Sequence, residues 1–311
     1  MSRNVKIKVS SKSFSKHPIL RKELLSAFPK AEFNDGLEEF TPDNFAEYID
    51  DSSGVVVGLE PIVGSVLARC PNLELVSKFG VGLDNIDQAA ADKYNVKIGW
   101  TGGVNRRSVS EMTLCFMIGL ARYIFFSSRN LVNLDDWNKN GGHDLSNQVV
   151  GIIGVGYIGK DLIELLKPFG CKILVNDIID QANYYQKNGL IESTKEQIYA
   201  QADIVTVHTP LDETTRGFCN VDIFRQMKES SYFINCSRGG LVVQTDLRQA
   251  LVDGAIAGAA IDVFESEPSG DSELINLPNF ICTPHTGGSS DEAVLAMGRS
   301  AIGHLVGHFG R

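Results

Sequence analysis

Three glycines in the stretch Gly154-Val155-Gly156-Tyr157-Ile158-Gly159 carry the spacing GxGxxG. An apolar run, 149–153, precedes them, and a segment of helical periodicity, 160–169, follows. A second apolar run, 171–175, leads to Asp177, roughly 20 residues beyond the first glycine. Each part of this pattern has a physical reason. Gly154 allows a tight turn, Gly156 lets backbone approach a pyrophosphate, and Gly159 lets helix and strand pack closely. The amides of Tyr157 and Ile158 would open a helix, where unpaired N–H groups and the dipole favour phosphate. A carboxylate at Asp177 can accept from ribose hydroxyls. Glycines alone could mean only a tight turn, but strand, turn, helix, strand and acid in this order point to a bound dinucleotide. Residues 178–181 are Ile, Ile, Asp and Gln, which offer no cation to a 2′-phosphate, so NAD is expected over NADP.

Four further stretches follow apolar runs that read as strands. They are Lys78-Phe79-Gly80-Val81-Gly82-Leu83-Asp84-Asn85, Asn235-Cys236-Ser237-Arg238-Gly239-Gly240, Ala260-Ile261-Asp262-Val263-Phe264-Glu265-Ser266-Glu267-Pro268 and Thr283-Pro284-His285-Thr286-Gly287-Gly288. In a parallel sheet the carboxyl ends of strands border the ligand crevice. One cation, one carboxylate and one imidazole there suit hydride transfer at a carbon that bears a hydroxyl and a carboxylate. Arg238 can hold the carboxylate bidentately. His285 can take the hydroxyl proton, and Glu267 can orient the imidazole and favour its charged form. Spacing alone equally allows a surface ion pair at Arg238, a solvated carboxylate at Glu267 and a hydrogen-bonded structural histidine at 285.

The elements that must position these residues alternate. Strands are predicted at 5–9, 54–59, 73–78 and 96–98, and a helix at 17–28 that Pro29 stops. Strands separated by helices imply parallel sheets with helices on their faces. A long helix is predicted at 108–127, with Ser108 and Glu111 as a capping box. It has almost no polar face, so it should be buried between domains or subunits. A polar loop at 135–146, which holds a solvated His143, leads to a second alternation from 149 to about 282. A last helix is expected at 289–308.

At 311 residues, two domains are expected. A hydrophobic fraction of 43% and a charged fraction of 22% exclude disorder and disulfide scaffolds. A net charge of −9 argues against nucleic acid as a partner. Cys70, Cys115, Cys171, Cys219, Cys236 and Cys282 form no CxxC pair, so they read as core residues in a reducing compartment. The first 13 residues lack an apolar signal core, and the apolar stretch 112–126 is broken by Arg122 and too short to span a bilayer. A cytoplasmic location without membrane contact is the expectation. His304 and His308 share an i, i+4 spacing but lack a third ligand, so no metal site is expected.

The segments SKFGVGLDNID (77–87), NRRSVSE (105–111), VGIIGVGYIG (150–159), HTPLDETTRG (208–217), INCSRGG (234–240), AIDVFESEP (260–268) and TPHTGG (283–288) together resemble the D-isomer-specific 2-hydroxyacid dehydrogenase family, which includes D-3-phosphoglycerate dehydrogenases. The resemblance runs from Gly54 through the last helix. It implies two doubly wound α/β domains, a Rossmann NAD-binding domain (102–284) inserted into a flavodoxin-like substrate domain (1–101 and 285–311). It implies Arg238 as substrate anchor, Glu267 as partner of the histidine and His285 as acid/base. Backbone N–H groups at Val81 and Gly82 would meet the substrate carboxylate, with Asn105 nearby. Beyond the glycine motif, NAD contacts would come from His208, Thr209, Pro210, Thr215, Cys236, Ser237, Asp262, Gly287 and Gly288. The helix 108–127 would lie at the interface of a homodimer. With no regulatory domain after residue 311, serine feedback is not expected.

The resemblance leaves two alternatives of different kinds. One is an NAD-sensing corepressor, although this chain has no long tail and retains all three candidate catalytic residues. The other is a formate dehydrogenase-like enzyme, although that branch carries an amide where Glu267 is acidic. Two departures stand out. Thr101-Gly102-Gly103 replaces the usual Thr-Pro-Gly, which suggests a looser hinge, and Glu60 stands where phosphoglycerate enzymes tend to carry Arg. A carboxylate there would repel a substrate phosphate if it faced the crevice. Arg69 and Lys78, the other cations considered, lie on segments that read as exposed.

Overall fold

In the computed structural model, which describes residues 5–139 and 141–310, twelve strands form two all-parallel sheets. Residues 1–4 of the N-terminal stretch, residue 140 of the polar loop and residue 311 lie outside the described residues. The strands are β1 (Ile7–Val9), β2 (Glu32–Phe33), β3 (Gly54–Val57), β4 (Leu75–Lys78), β5 (Lys97–Gly99), β6 (Val149–Ile153), β7 (Lys172–Asn176), β8 (Ile191–Glu192), β9 (Ile204–Val207), β10 (Tyr232–Asn235), β11 (Gly258–Ile261) and β12 (Phe280–Cys282). The central strands are runs such as GVVV and IVTV with every residue buried. Continuous apolar runs of this kind fit parallel sheets that helices cover on both faces.

The chain divides into two units, Met1–Asn105 with Asp291–Arg311, and Arg106–Ser290. The first holds a sheet of order β2-β1-β3-β4-β5, the doubly wound order of the flavodoxin type. Its core packs Phe45, Ile49, Val55 and Val76 on one side and Phe14, Leu20, Leu24 and Leu305 on the other. The second holds a sheet of order β12-β11-β10-β9-β6-β7-β8. The units part at 105/106 and 290/291, not at 101 and 284. Val104 packs on the first unit's core, whereas residues 283–287 are tied to Asp262 of the second.

The single long helix expected at 108–127 is two helices, Arg106–Ala121 and Ile124–Leu134, bent by 63°. Tyr123 breaks them with a left-handed φ of 53°. The ring of Phe125 then folds back onto Gly119, where a Cβ would lie 2.0 Å from the ring. The capping box is also absent, because the helix begins at Arg106 and the Ser108 hydroxyl donates to Gly287 O at 2.6 Å. The first helix buries Val109, Phe116, Met117 and Leu120 in the second unit. The second helix buries none of its residues. Among the described residues no single helix is long and apolar enough to cross a membrane.

Candidate active site

Six loops that carry chemistry leave the same edge of the second sheet, because all its strands are parallel. The strand order reverses between β6 and β9, which is where such sheets bind ligands. Gly154 follows β6 and His208 follows β9, and the two backbones touch. Gly154 has φ +97, and a Cβ on it would lie 2.6 Å from His208 O. From β7 to β12 the edge spans five strand spacings, roughly 24 Å, enough for an extended two-nucleotide ligand.

The glycine motif has the geometry such a ligand needs. Nothing lies within 4 Å of a Cβ built on Gly156, so that face of the turn is open. Tyr157 and Ile158 begin the helix Tyr157–Leu166. Gly159 packs against the turn itself, since a Cβ there would sit 2.2 Å from Gly154 O. Gly159→Ala should therefore push helix from strand, cost about 1–3 kcal/mol and weaken NADH binding. Urea midpoints and NADH titration measure both effects. Asp177 accepts from Val155 N at 2.6 Å and Ile179 N at 2.9 Å, which fixes its carboxylate beside the turn.

Two buried polar atoms in the next loop, His208 Nδ1 and Thr209 Oγ1, have no hydrogen-bond partner among the described residues. Groups of this kind suit a polar ligand laid along the edge. Pro210 O accepts from Thr215 Oγ1 at 2.8 Å, which closes the loop. Ser237 Oγ donates to Val207 O at 2.8 Å, so its proton is spent on joining β10 to β9. Burial pushes the Cys236 thiol up to about 12 and keeps it neutral.

Burial likewise pushes the His208 imidazole from the usual 6.5 down to about 4. The native pKa is the lower one, so the unfolded chain takes up the proton first. The stability tied to a neutral His208 is complete above pH 6.5 and is lost as pH falls towards 4. His208→Asn should make the acid loss of stability between those values shallower. Urea midpoints at pH 7 and pH 4.5 test this, and an unchanged difference would assign the loss to other groups.

At the other end of the edge, His285 Nδ1 lies 2.7 Å from Glu267 Oε2. An ionised carboxylate only accepts, so Nδ1 donates and Nε2 is left to exchange a proton. Phe264 N donates to Glu267 Oε1 at 3.0 Å, which holds the carboxylate from its other side. His285 has φ +55, a left-handed conformation that costs a non-glycine residue about 1–3 kcal/mol and persists only where its surroundings enforce it. The enforcement comes from Asp262, which is 1% exposed. Its carboxylate accepts from Thr283 Oγ1 at 2.6 Å and from the amides of Thr286 and Gly287 at 2.7 Å each, and its carbonyl accepts from His285 N at 2.8 Å. Gly287 fits closely, since a Cβ on it would lie 2.8 Å from Asp262 Oδ2, and Gly288 follows it. Half-buried Arg238 is set by its own loop: Asn235 Nδ2 donates to Arg238 O, and Arg238 Nη1 donates to Ser237 O.

The remaining candidates belong to the first unit. Val81 and Gly82 follow β4. Asn105 is buried, and its Oδ1 has no hydrogen-bond partner among the described residues. Lys78 is not exposed as its segment suggested. It is 3% exposed and donates to Gly58 O and to Asn85 Oδ1 at 2.6 Å, because the β3 and β4 loops wrap its ammonium. Glu60 turns its carboxylate back onto Gly58 N at 2.5 Å. Arg69 is exposed and pairs with Asp43 and Glu47. His304 bonds Thr101, and His308 lies 3.5 Å from Glu74.

A family profile described as D-isomer specific 2-hydroxyacid dehydrogenase, NAD binding domain, matches residues 114–287. The chain belongs to the D-isomer specific 2-hydroxyacid dehydrogenase family. Glycerate dehydrogenase of Methylorubrum extorquens is 31% identical over 274 residues, 85% of this chain and 84% of its own length. D-3-phosphoglycerate dehydrogenase of Bacillus subtilis is 33% identical over 276 residues, 84% of this chain but 52% of its own. The chain thus spans about half the length of the phosphoglycerate dehydrogenases it matches. A solved glyoxylate reductase from Paecilomyes thermophila matches in fold with a TM-score of 0.88 at 21% identity, over 99% of this chain and 96% of that one.

Three groups of the site escaped the sequence reading. Thr283 and Ser108 hold the histidine loop through Asp262 and Gly287, and Asn85 clamps the loop after β4 through Lys78. Thr283 opens the TPH stretch itself, beside His285. In sequence Ser108 reads as the cap of its own helix, and Asn85 carries no signal of its partner.

Proposed function

We propose that this chain is an NAD-dependent oxidoreductase that interconverts a D-2-hydroxy acid and its 2-keto acid. The observation that carries the reading is the His285–Glu267 pair at 2.7 Å, on the sheet edge that also bears the glycine turn. When bound, NADH supplies the hydride. His285 gives the proton from Nε2 to the keto oxygen, and in the reverse direction takes it from the hydroxyl. Glu267 holds the ring through Nδ1 and so keeps Nε2 turned to the substrate. Arg238 anchors the substrate carboxylate, with Val81, Gly82 and Asn105 as the further substrate contacts. The decisive experiment is NADH oxidation against pyruvate, glyoxylate, hydroxypyruvate, 2-ketoisocaproate, phenylpyruvate and 3-phosphohydroxypyruvate. Turnover of none would sink the reading.

The substrate in this proposal is unphosphorylated. Lys78 is enclosed and committed to Gly58 O and Asn85, while Glu60 adds a carboxylate to the same loop. Hydroxypyruvate should exceed 3-phosphohydroxypyruvate in kcat/KM by at least about tenfold, since the one buried cation of these loops is already committed and the nearby carboxylate offers a phosphate nothing. The reverse preference would overturn this point alone.

A homodimer and a cytoplasmic setting complete the proposal. Ile124, Val132, Leu134 and Trp137 form an exposed apolar strip along and after the second helix, of the kind an interface covers. Six unpaired cysteines fit a reducing compartment. Light scattering of wild type and Val132→Glu tests the dimer.

A further inference from the structure

The loop after β4 turns at Gly80, whose φ is +144. One residue on, the carbonyl of Val81 accepts the indole N–H of Trp100 at 2.9 Å. Trp100 directly follows β5 and is 38% exposed, so most of its surface is covered. The far end of the same loop is held separately. Asn85 accepts from Lys78 Nζ at 2.6 Å and donates to Glu60 O at 2.6 Å. Between these two anchors, the amide N–H groups of Val81 and Gly82 meet no acceptor among the described residues.

A trans peptide is planar, so the carbonyl of Val81 and the N–H of Gly82 point in opposite directions from one plane. Whatever fixes the carbonyl fixes the direction of that N–H. The indole N–H donates only and carries no charge, so it orients the peptide without competing for an anion. We propose that Trp100 is a positioning residue for the substrate carboxylate: its bond to Val81 O aims the Gly82 N–H. This rests on the reading of Val81 and Gly82 as amide donors to that carboxylate. Trp100 touches neither substrate nor cofactor in this role.

The test is Trp100→Phe, which keeps an aromatic ring on the loop and removes the N–H. One neutral hydrogen bond corresponds to about a three- to tenfold effect. The KM for glyoxylate and hydroxypyruvate should rise by that factor, with kcat within about twofold of wild type, because the carboxylate is held alike in ground and transition states. NADH affinity and the urea midpoint should stay as in wild type. An unchanged KM overturns the proposal. So does a joint fall of kcat, NADH affinity and urea midpoint, which marks a merely structural tryptophan. Arg238→Gln is measured alongside. If it too leaves KM unchanged, the reading of the substrate site falls and the role of Trp100 with it. If it raises KM while Trp100→Phe does not, only the role of Trp100 falls.

Discussion

His285→Gln should lower kcat by about 10²–10⁴-fold, the usual contribution of a general acid–base group, while NADH binds as before. Glutamine keeps similar bulk and can still hydrogen-bond Glu267, but it cannot carry a proton to or from substrate oxygen. The glycine-turn half of the edge, with Gly154, Gly156 and Asp177, lies several strands away from β12 and is untouched. The loop should also survive, because Asp262 holds it through Thr283, Thr286, Gly287 and the backbone of residue 285 rather than through the imidazole. Stopped-flow reduction and NADH fluorescence titration separate the two quantities. Turnover within tenfold of wild type would remove His285 from the chemistry. A parallel loss of NADH binding would instead show that the imidazole supports the cofactor site.

The second expected result is a preference for NADH over NADPH of about 10²-fold or more in kcat/KM. Asp177 is pinned beside the glycine turn by Val155 N and Ile179 N, so it cannot swing away from a 2′-phosphate. Like charges near about 4 Å cost on the order of 4 kcal/mol per unit at an effective dielectric of 20, and partial exposure reduces this. The next residues, Ile178 at 96% exposure and Ile179, bring no compensating cation. Asp177→Ser should narrow the preference from both sides. It removes the repulsion towards NADPH, and it removes the carboxylate that would accept from the ribose hydroxyls of NADH. Equal kcat/KM values in the wild type would show that Asp177 does not face the ribose.

Much of the glycine turn's geometry was legible because its parts are local. Gly154, Gly159 and Asp177 lie in one strand–helix–strand unit, where spacing along the chain is nearly spacing in three dimensions. The Glu267–His285 pair was legible only through family resemblance. Its members sit on loops of different strands and meet because β11 and β12 are neighbours. Apolarity from 112 to 126 promised burial but could not show the break at Tyr123, because a left-handed tyrosine has no signature in composition. Lys78 read as a surface cation because lysine usually is one. Glu60 read as a charge at the crevice, yet its carboxylate bonds the amide two residues back.

The sequence by itself determined the α/β class, the glycine turn with its neighbouring carboxylate and the kinds of polar residue that end the strands. Those properties follow from local periodicity and from glycine and carboxylate chemistry, which need no distant partner. Only the tertiary structure decided that Asp262 clamps the histidine loop, that Lys78 is enclosed, and that Trp100 reaches back to Val81. Each of those bonds joins segments many residues apart, and strand order, which propensity does not encode, chooses which segments meet.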